Sequence, residues 1–257
     1  MGKIGDSFWD AAMYRRALTR WALSAREARE AKLSILRRQS TRARQLRAHL
    51  DQLITVADER LALPVISSNS FAKPHNADWA WRPEIWRGPL PVRGISSVES
   101  KSQLGEEITL FHDCARSELT LRQLRNQREE DLAPYGLRLD VFKFDGSFLS
   151  LVLDLPDAAV VGLKRTHILQ VNAIVNMEKP LEIFVRLNIR HGPNTEQIVR
   201  EFSQDRDGMI AEFDLAYANL NEKRIDKAWV DLIFENPQMN QVTVRDLTFN
   251  RRPRAQL

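Results

Sequence analysis

A chain of 257 residues, 43% hydrophobic and 28% charged, holds enough apolar material for a substantial core and is unlike a disordered polymer. Its single cysteine, Cys114, excludes an intrachain disulfide framework and a cysteine-based zinc site, and suits a reducing compartment. The formal net charge of +4 is unevenly spread, with +6 on residues 1–63 and −2 on the remainder.

Residues 1–63 read as a long basic helical arm. From Ser7 to Leu63 there is neither Pro nor Gly, and Ala, Leu, Arg, Gln and Glu dominate, which are the strong helix formers. Ser7 with Asp10 three residues later forms a capping-box-like start, and Pro64 marks the expected stop. Leu36, Ala43, Leu46, Leu50, Leu53, Ala57 and Leu61 recur at spacings of three, four and seven, an apolar seam compatible with a coiled coil or a helical hairpin. Between Arg15 and Leu50 only Glu27 and Glu30 oppose eleven basic residues, a net +9. Arg15, Arg16, Arg20, Arg37, Arg38, Arg42, Arg44 and Arg47 are therefore the candidates for contact with an anionic surface.

No apolar run approaches the ~18 residues of a membrane span. Asp6, Asp10, Arg15 and Arg16 interrupt any secretory apolar core, and Asp6 stands where a myristoylation motif needs Ser or Thr. The expected location is the cytoplasm, with peripheral attachment at the inner membrane face open to the arm.

Residues 64–94 change character. Pro64, Pro74, Pro83, Pro89 and Pro91 punctuate an irregular stretch, either a linker or a strap over the next domain. Trp79, Trp81 and Trp86 lie within it. Exposed, they would stack on sugar rings; packed, they would be core.

Residues 95–257 alternate with period two. Ile108–Leu110 and Leu119–Leu121 come first. Leu137, Leu139 and Val141 are then separated from Leu149, Leu151, Leu153 and Leu155 by Asp145-Gly146, which predicts a hairpin turn. Further runs follow at 167–175, 183–189, 230–234 and 242–244, with Gly, Pro or Asn at the breaks. The expected fold is mainly β: an antiparallel β-sandwich, jelly-roll-like, of eight to ten strands.

Ala228-Trp229-Val230-Asp231-Leu232-Ile233 and Val242-Thr243-Val244-Arg245-Asp246-Leu247-Thr248-Phe249 resemble the closing strands of carbohydrate-binding jelly-roll modules. That resemblance implies a lectin-like sandwich with a glycan as ligand. Leu110-Phe111-His112-Asp113-Cys114, Asp145-Gly146-Ser147-Phe148-Leu149-Ser150 and Arg251-Arg252-Pro253-Arg254 resemble an uncharacterised alphaproteobacterial family of unknown function, which implies no activity.

His112-Asp113-Cys114 is the most reactive-looking triplet, yet on a strand Asp113 points away from the other two, and a strand end with a buried thiol is the favoured reading. His112, His167 and His191 lack metal-ligand spacing, and Asp205-Arg206-Asp207-Gly208 places its glycine wrongly for a calcium loop. No cofactor, metal or catalytic residue is expected. The reading these residues support is a non-catalytic binding or scaffold protein, whose sandwich takes a glycan and whose arm mediates self-association or a protein contact. The alternative is a nucleic-acid or anionic-membrane-surface accessory protein acting through the arm.

Overall fold

The helix-forming arm is two helices, α1 (Phe8–Glu27) and α2 (Leu33–Leu61), in place of one long one. Neither Gly nor Pro marks the break. The amides of Glu30 and Ala31 both turn back to the carbonyl of Glu27, at 3.1 Å each. Gln39 Nε2 of α2 donates to Ser24 Oγ of α1 at 3.4 Å, so the chain doubles back on itself. Trp21 and Ser24 on α1 and Ala28 in the turn, with Leu36, Gln39 and Ala43 on α2, are half-buried while their neighbours stay exposed. Burial of that short stripe offsets the few helical hydrogen bonds lost at the turn, a tertiary gain that local propensity does not register.

The computed structural model describes residues 8–61, 71–128, 130–205 and 208–254. Ser7 and Pro64, the expected start and stop of the arm, lie outside the described residues. Two compact units result, Met1–Arg60 and Leu61–Leu257.

The second unit is a two-sheet antiparallel sandwich. Its elements begin with β1 (Trp79–Trp81), α3 (Glu84–Arg87), β2 (Gly94–Ser96), β3 (Ser102–Leu104), β4 (Ile108–His112), β5 (Leu119–Arg125), β6 (Tyr135–Val141) and β7 (Leu149–Asp154). They continue with α4 (Asp157–Val160), β8 (His167–Met177), β9 (Ile183–His191), β10 (Asn194–Glu201), β11 (Ser203–Asp205), β12 (Gly208–Asp214), β13 (Ile225–Phe234) and β14 (Asn240–Pro253). The first sheet runs β11-β12-β8-β14-β6-β5-β2, with β1 also on β14; the second runs β10-β9-β13-β7-β4-β3. Alternate residues of both sheets face inward. Leu110, Leu153, Val185, Leu187 and Val230 from one sheet and Leu121, Leu169, Val171 and Phe249 from the other are all at 0% exposure. Each such side chain contributes about 1.5–3 kcal/mol of burial.

One expectation is corrected here. Asp145-Gly146 does not close a hairpin: β6 belongs to the first sheet and β7 to the second, so this loop carries the chain between sheets. Gly146 does not take the positive φ of a type I′ turn. A Cβ there would meet Asp113 Oδ1 at 2.5 Å and Cys114 Sγ at 3.0 Å, so the glycine is required by close approach to the end of β4.

The Pro/Trp-rich segment, in turn, contributes a strand. β1 pairs with Phe249–Arg251 of β14, beyond the stretch Asn240–Val244 that β6 occupies. Between the two lies an irregularity at Arg245 that bends β14 and lets one strand serve two partners on the same side.

Candidate functional site

The in-register rows of the second sheet put a mixed aromatic and polar surface on its outer face. Phe111, Ser150, Ile233 and Phe184 form one row across β4, β7, β13 and β9. Thr109, Val152, Asp231 and Arg186 form the next, and Asp154, Trp229, Asn188 and Gln197 a third. Four strands at ~4.8 Å spacing make this surface about 14 Å wide.

Its centre is polar and dry. Asp231 is only 2% exposed and Asn188 0%, although both stand on the outward side of their strands. Arg186 Nε donates to Asp231 Oδ2 at 2.6 Å, and Asn188 Nδ2 reaches the same oxygen at 3.3 Å. Gln197 Nε2 in turn donates to Asn188 Oδ1 at 2.9 Å, so three neighbouring strands share one network. Asp231 Oδ1 and Ser150 Oγ are both buried without a hydrogen-bond partner. A buried polar atom left unpaired costs about 1–3 kcal/mol, and here two of them line one cleft.

That cleft has a volume of about 360 Å³ and is walled by Phe111, Phe148, Val152, Trp229 and Ile233 around Ser150, Arg186 and Asp231. Such a volume falls within the range of small-ligand sites. Trp229 is half-buried, and Lys227 Nζ lies 5.9 Å from its ring centroid while pairing with Asp154 at 2.9 Å. Phe148, 45% exposed, overhangs from the loop that switches sheets. Asp231 is the one carboxylate lining the cleft.

A larger cleft of about 680 Å³ lies on the outer face of the first sheet, around Arg122, Arg138 and Asp140. Of its two carboxylates, Asp140 and Glu178, the one within the sheet is already satisfied: Thr120 Oγ1 donates to Asp140 at 2.9 Å and Arg138 Nε at 2.7 Å. Phe142 is its single aromatic side chain. The smaller cleft is the better ligand site, because its polar atoms still lack partners.

The strap tryptophans differ in how they are placed. Trp86 is fully buried, its Nε1 donating to the Val244 carbonyl at 2.9 Å, which corrects its assignment as a stacking residue. Register places Trp79 and Trp81 opposite Arg251 and Phe249, on the core side of the first sheet. They are half-buried, 6.4 Å apart centroid to centroid, and Trp81 sits 5.4 Å from Phe249. Arg15, Arg16, Arg20, Arg37, Arg38, Arg42, Arg44 and Arg47 are all exposed on α1 and α2.

The reactive-looking triplet is structural. His112 Nδ1 accepts the Cys114 amide at 3.1 Å, which leaves Nε2 protonated to donate to the Val98 carbonyl at 2.8 Å. Asp113 accepts from the Ser147 hydroxyl at 2.6 Å and amide at 2.7 Å, which holds its carboxyl below the usual range. Burial pushes the Cys114 thiol up, away from thiolate. Among the described residues no three His, Cys, Asp or Glu side chains gather as a metal site. Arg206 and Asp207 of the calcium-loop-like stretch lie outside the described residues; Asp205 and Gly208 pair with each other where β11 meets β12.

The site went unrecognised in the sequence, although its signal was present. Within Val185-Arg186-Leu187-Asn188-Ile189 and Trp229-Val230-Asp231-Leu232-Ile233 the inward positions are aliphatic and the outward ones carry Arg, Asn, Trp and Asp. Only the register shows that these outward residues adjoin.

The model of a family of unknown function (DUF6478) matches residues 1–257. No curated protein matches the chain. Among solved structures the chain is similar to the enzymatically active domain of tailspike protein 4 of bacteriophage CBA120, with a TM-score of 0.39, 9% identity and 60% of this chain covered. It spans about a fifth (21%) of that protein's length. It is also similar to a family 11 carbohydrate-binding module of Clostridium thermocellum in complex with a β-1,3-1,4-mixed-linked tetrasaccharide (TM-score 0.34, 12% identity, 62% of this chain and 96% of that one). A third is the CBM22-1 xylan-binding domain from Paenibacillus barcinonensis (TM-score 0.34, 10% identity, 61% and 92%).

Proposed function

The chain belongs to this DUF6478 family of unknown function, and from that premise we propose that it is a binding protein that takes a neutral glycan on the outer face of its second sheet. One observation carries the reading: Asp231 Oδ1 and Ser150 Oγ, buried and unpaired, line the same cleft as Phe111, Phe148 and Trp229. A sugar offers both complements, hydroxyl groups for the polar atoms and C–H faces for the rings. A carboxylate oxygen can only accept, so the ligand must donate there. That selects a hydroxyl over an anionic group.

Hydrolysis of a glycosidic bond ordinarily takes a pair of carboxyl groups flanking it. With Asp231 the single carboxylate of the cleft, the groups present hold and orient a sugar without cutting it.

The experiment is titration calorimetry of the full chain against neutral oligosaccharides (β-glucan, xylan and galactan fragments), with a polyuronate for comparison. Binding to at least one neutral series is expected. Trp229→Ala should weaken it at least about tenfold with the melting temperature kept, because the ring is only half-buried. Asp231→Asn should weaken it as well, by turning part of an acceptor into a donor. Absence of binding to every neutral series, or full affinity in Trp229→Ala, overturns the reading.

A further inference from the structure

The helical unit carries two exposed features. The first is charge. The stretch Arg15–Leu50 has a net charge of +9, and its arginines are exposed along both helices. The second is apolar. Tyr14 and Leu18 follow one side of α1 at i and i+4, 67% and 58% exposed. On α2, Leu46, Leu50 and Leu53 share a side in the same way, Leu53 being 64% exposed, with Arg42 bordering the strip.

We propose that this helical pair docks on an anionic lipid bilayer, lying along the surface with its arginines at the headgroups and its leucines at the acyl boundary. The combination of charge and apolar area selects the occupant. A second copy of the chain would bring two +9 stretches together and be repelled. A nucleic acid would draw the arginines and leave Leu18, Leu50 and Leu53 in water. An anionic bilayer accepts both kinds of side chain at once. Neither helix is long and apolar enough to cross a membrane among the described residues, so attachment is peripheral. Tyr14, 67% exposed, suits the interface, where an aromatic ring with a polar tip keeps its hydroxyl wet and its ring in contact with lipid. Each basic residue near an anionic leaflet strengthens binding about fivefold, and screening acts within a Debye length of ~8 Å at physiological salt, so the contact is strongly salt-dependent.

The test is co-sedimentation of the full chain with vesicles of phosphatidylcholine alone and of phosphatidylcholine with phosphatidylglycerol. Binding is expected on the mixed vesicles only, falling at least about tenfold on going from low to high salt. The combined variant Arg37→Gln, Arg38→Gln, Arg42→Gln, Arg44→Gln should lower it at least about a hundredfold. Leu18→Gln with Leu50→Gln should lower it several-fold at an unchanged helical circular dichroism signal, which a purely electrostatic contact would not show. Equal binding to both vesicle types, or none to either, overturns the proposal. So does a gel shift of duplex DNA abolished by the arginine variant without vesicle binding, or a Leu50-dependent dimer in sedimentation velocity without it. Glycan titration of the same variants reads the second sheet separately.

Discussion

His167 shows how one buried side chain makes stability depend on pH. It opens β8, is buried, and accepts the Lys164 amide on Nδ1 at 3.0 Å, with Nε2 facing Asp78 Oδ2 at 3.4 Å. Burial is the main cause that pushes its pKa down; Asp78 opposes this, while Arg251 and Lys164 add to it. The folded chain therefore resists a proton that the unfolded chain accepts below about pH 6.5. Above that value both states are neutral and His167 costs nothing. As pH falls from there toward the lowered folded value, the unfolded state binds more proton and stability is lost. Melting temperature should drop between pH 7 and pH 5, and His167→Gln should shrink that drop. An identical acid limb in the variant would assign the effect to other groups. At the same scale, Cys114 should react slowly with thiol reagents at neutral pH, since its thiol is held above the ordinary value.

Among the elements, β14 does the most. Its bend at Arg245 sets two charged residues side by side, each paired with an acid or base from elsewhere: Arg245 with Asp131, and Asp246 with Arg82. The Arg82 guanidinium, at 0% exposure, grips Asp246 by two bonds of 2.9 and 2.7 Å. Removing one member leaves the other charged and buried, so Arg82→Ala should cost about 3–5 kcal/mol in urea unfolding. The double change Arg82→Met with Asp246→Leu should cost much less than the sum of the single changes, and strict additivity would deny the coupling. This element also marks how far the sequence can be read. Alternating runs of five residues or more gave β8, β9 and β13 because period two is written in consecutive residues, while β14 showed only its start at 242–244. Strands β1, β2, β3 and β11, three residues each, are too short to define a period by themselves. Asp145-Gly146 misled because its local chemistry suits a hairpin, while the partners of β6 and β7 are fixed by distant strands. The cleft stayed hidden for a related reason: Ser150, Arg186 and Asp231 sit far apart in the chain and meet only through register. Trp79, Trp81 and Trp86 drew attention by their density, yet density reports aromatic area and not which way it faces.

For the whole molecule, the two compact units imply separable stability. A chain starting at Phe71 should melt cooperatively with a β-type circular dichroism spectrum. It retains Phe71 against the Arg82 guanidinium (5.1 Å) and every strand. A chain starting at Gly88 loses β1, Arg82 and Trp86 together and should not fold cooperatively. Loss of the transition in the first of these would mean that residues 1–70 are part of the sandwich's cooperative unit.

The position of β14 also constrains how the chain is made. It is the fourteenth strand in sequence, yet it stands inside the first sheet, bonded to β8, β6 and β1. On the ribosome, those three strands emerge well before their common partner. Until residues 240–253 appear, each waits with an open edge and an unfilled core face beside it, the condition in which nascent β proteins pair wrongly. Folding of this sheet is thus tied to the emergence of residues 240–253. The interval before that strand emerges is when a holdase chaperone would matter most to its yield.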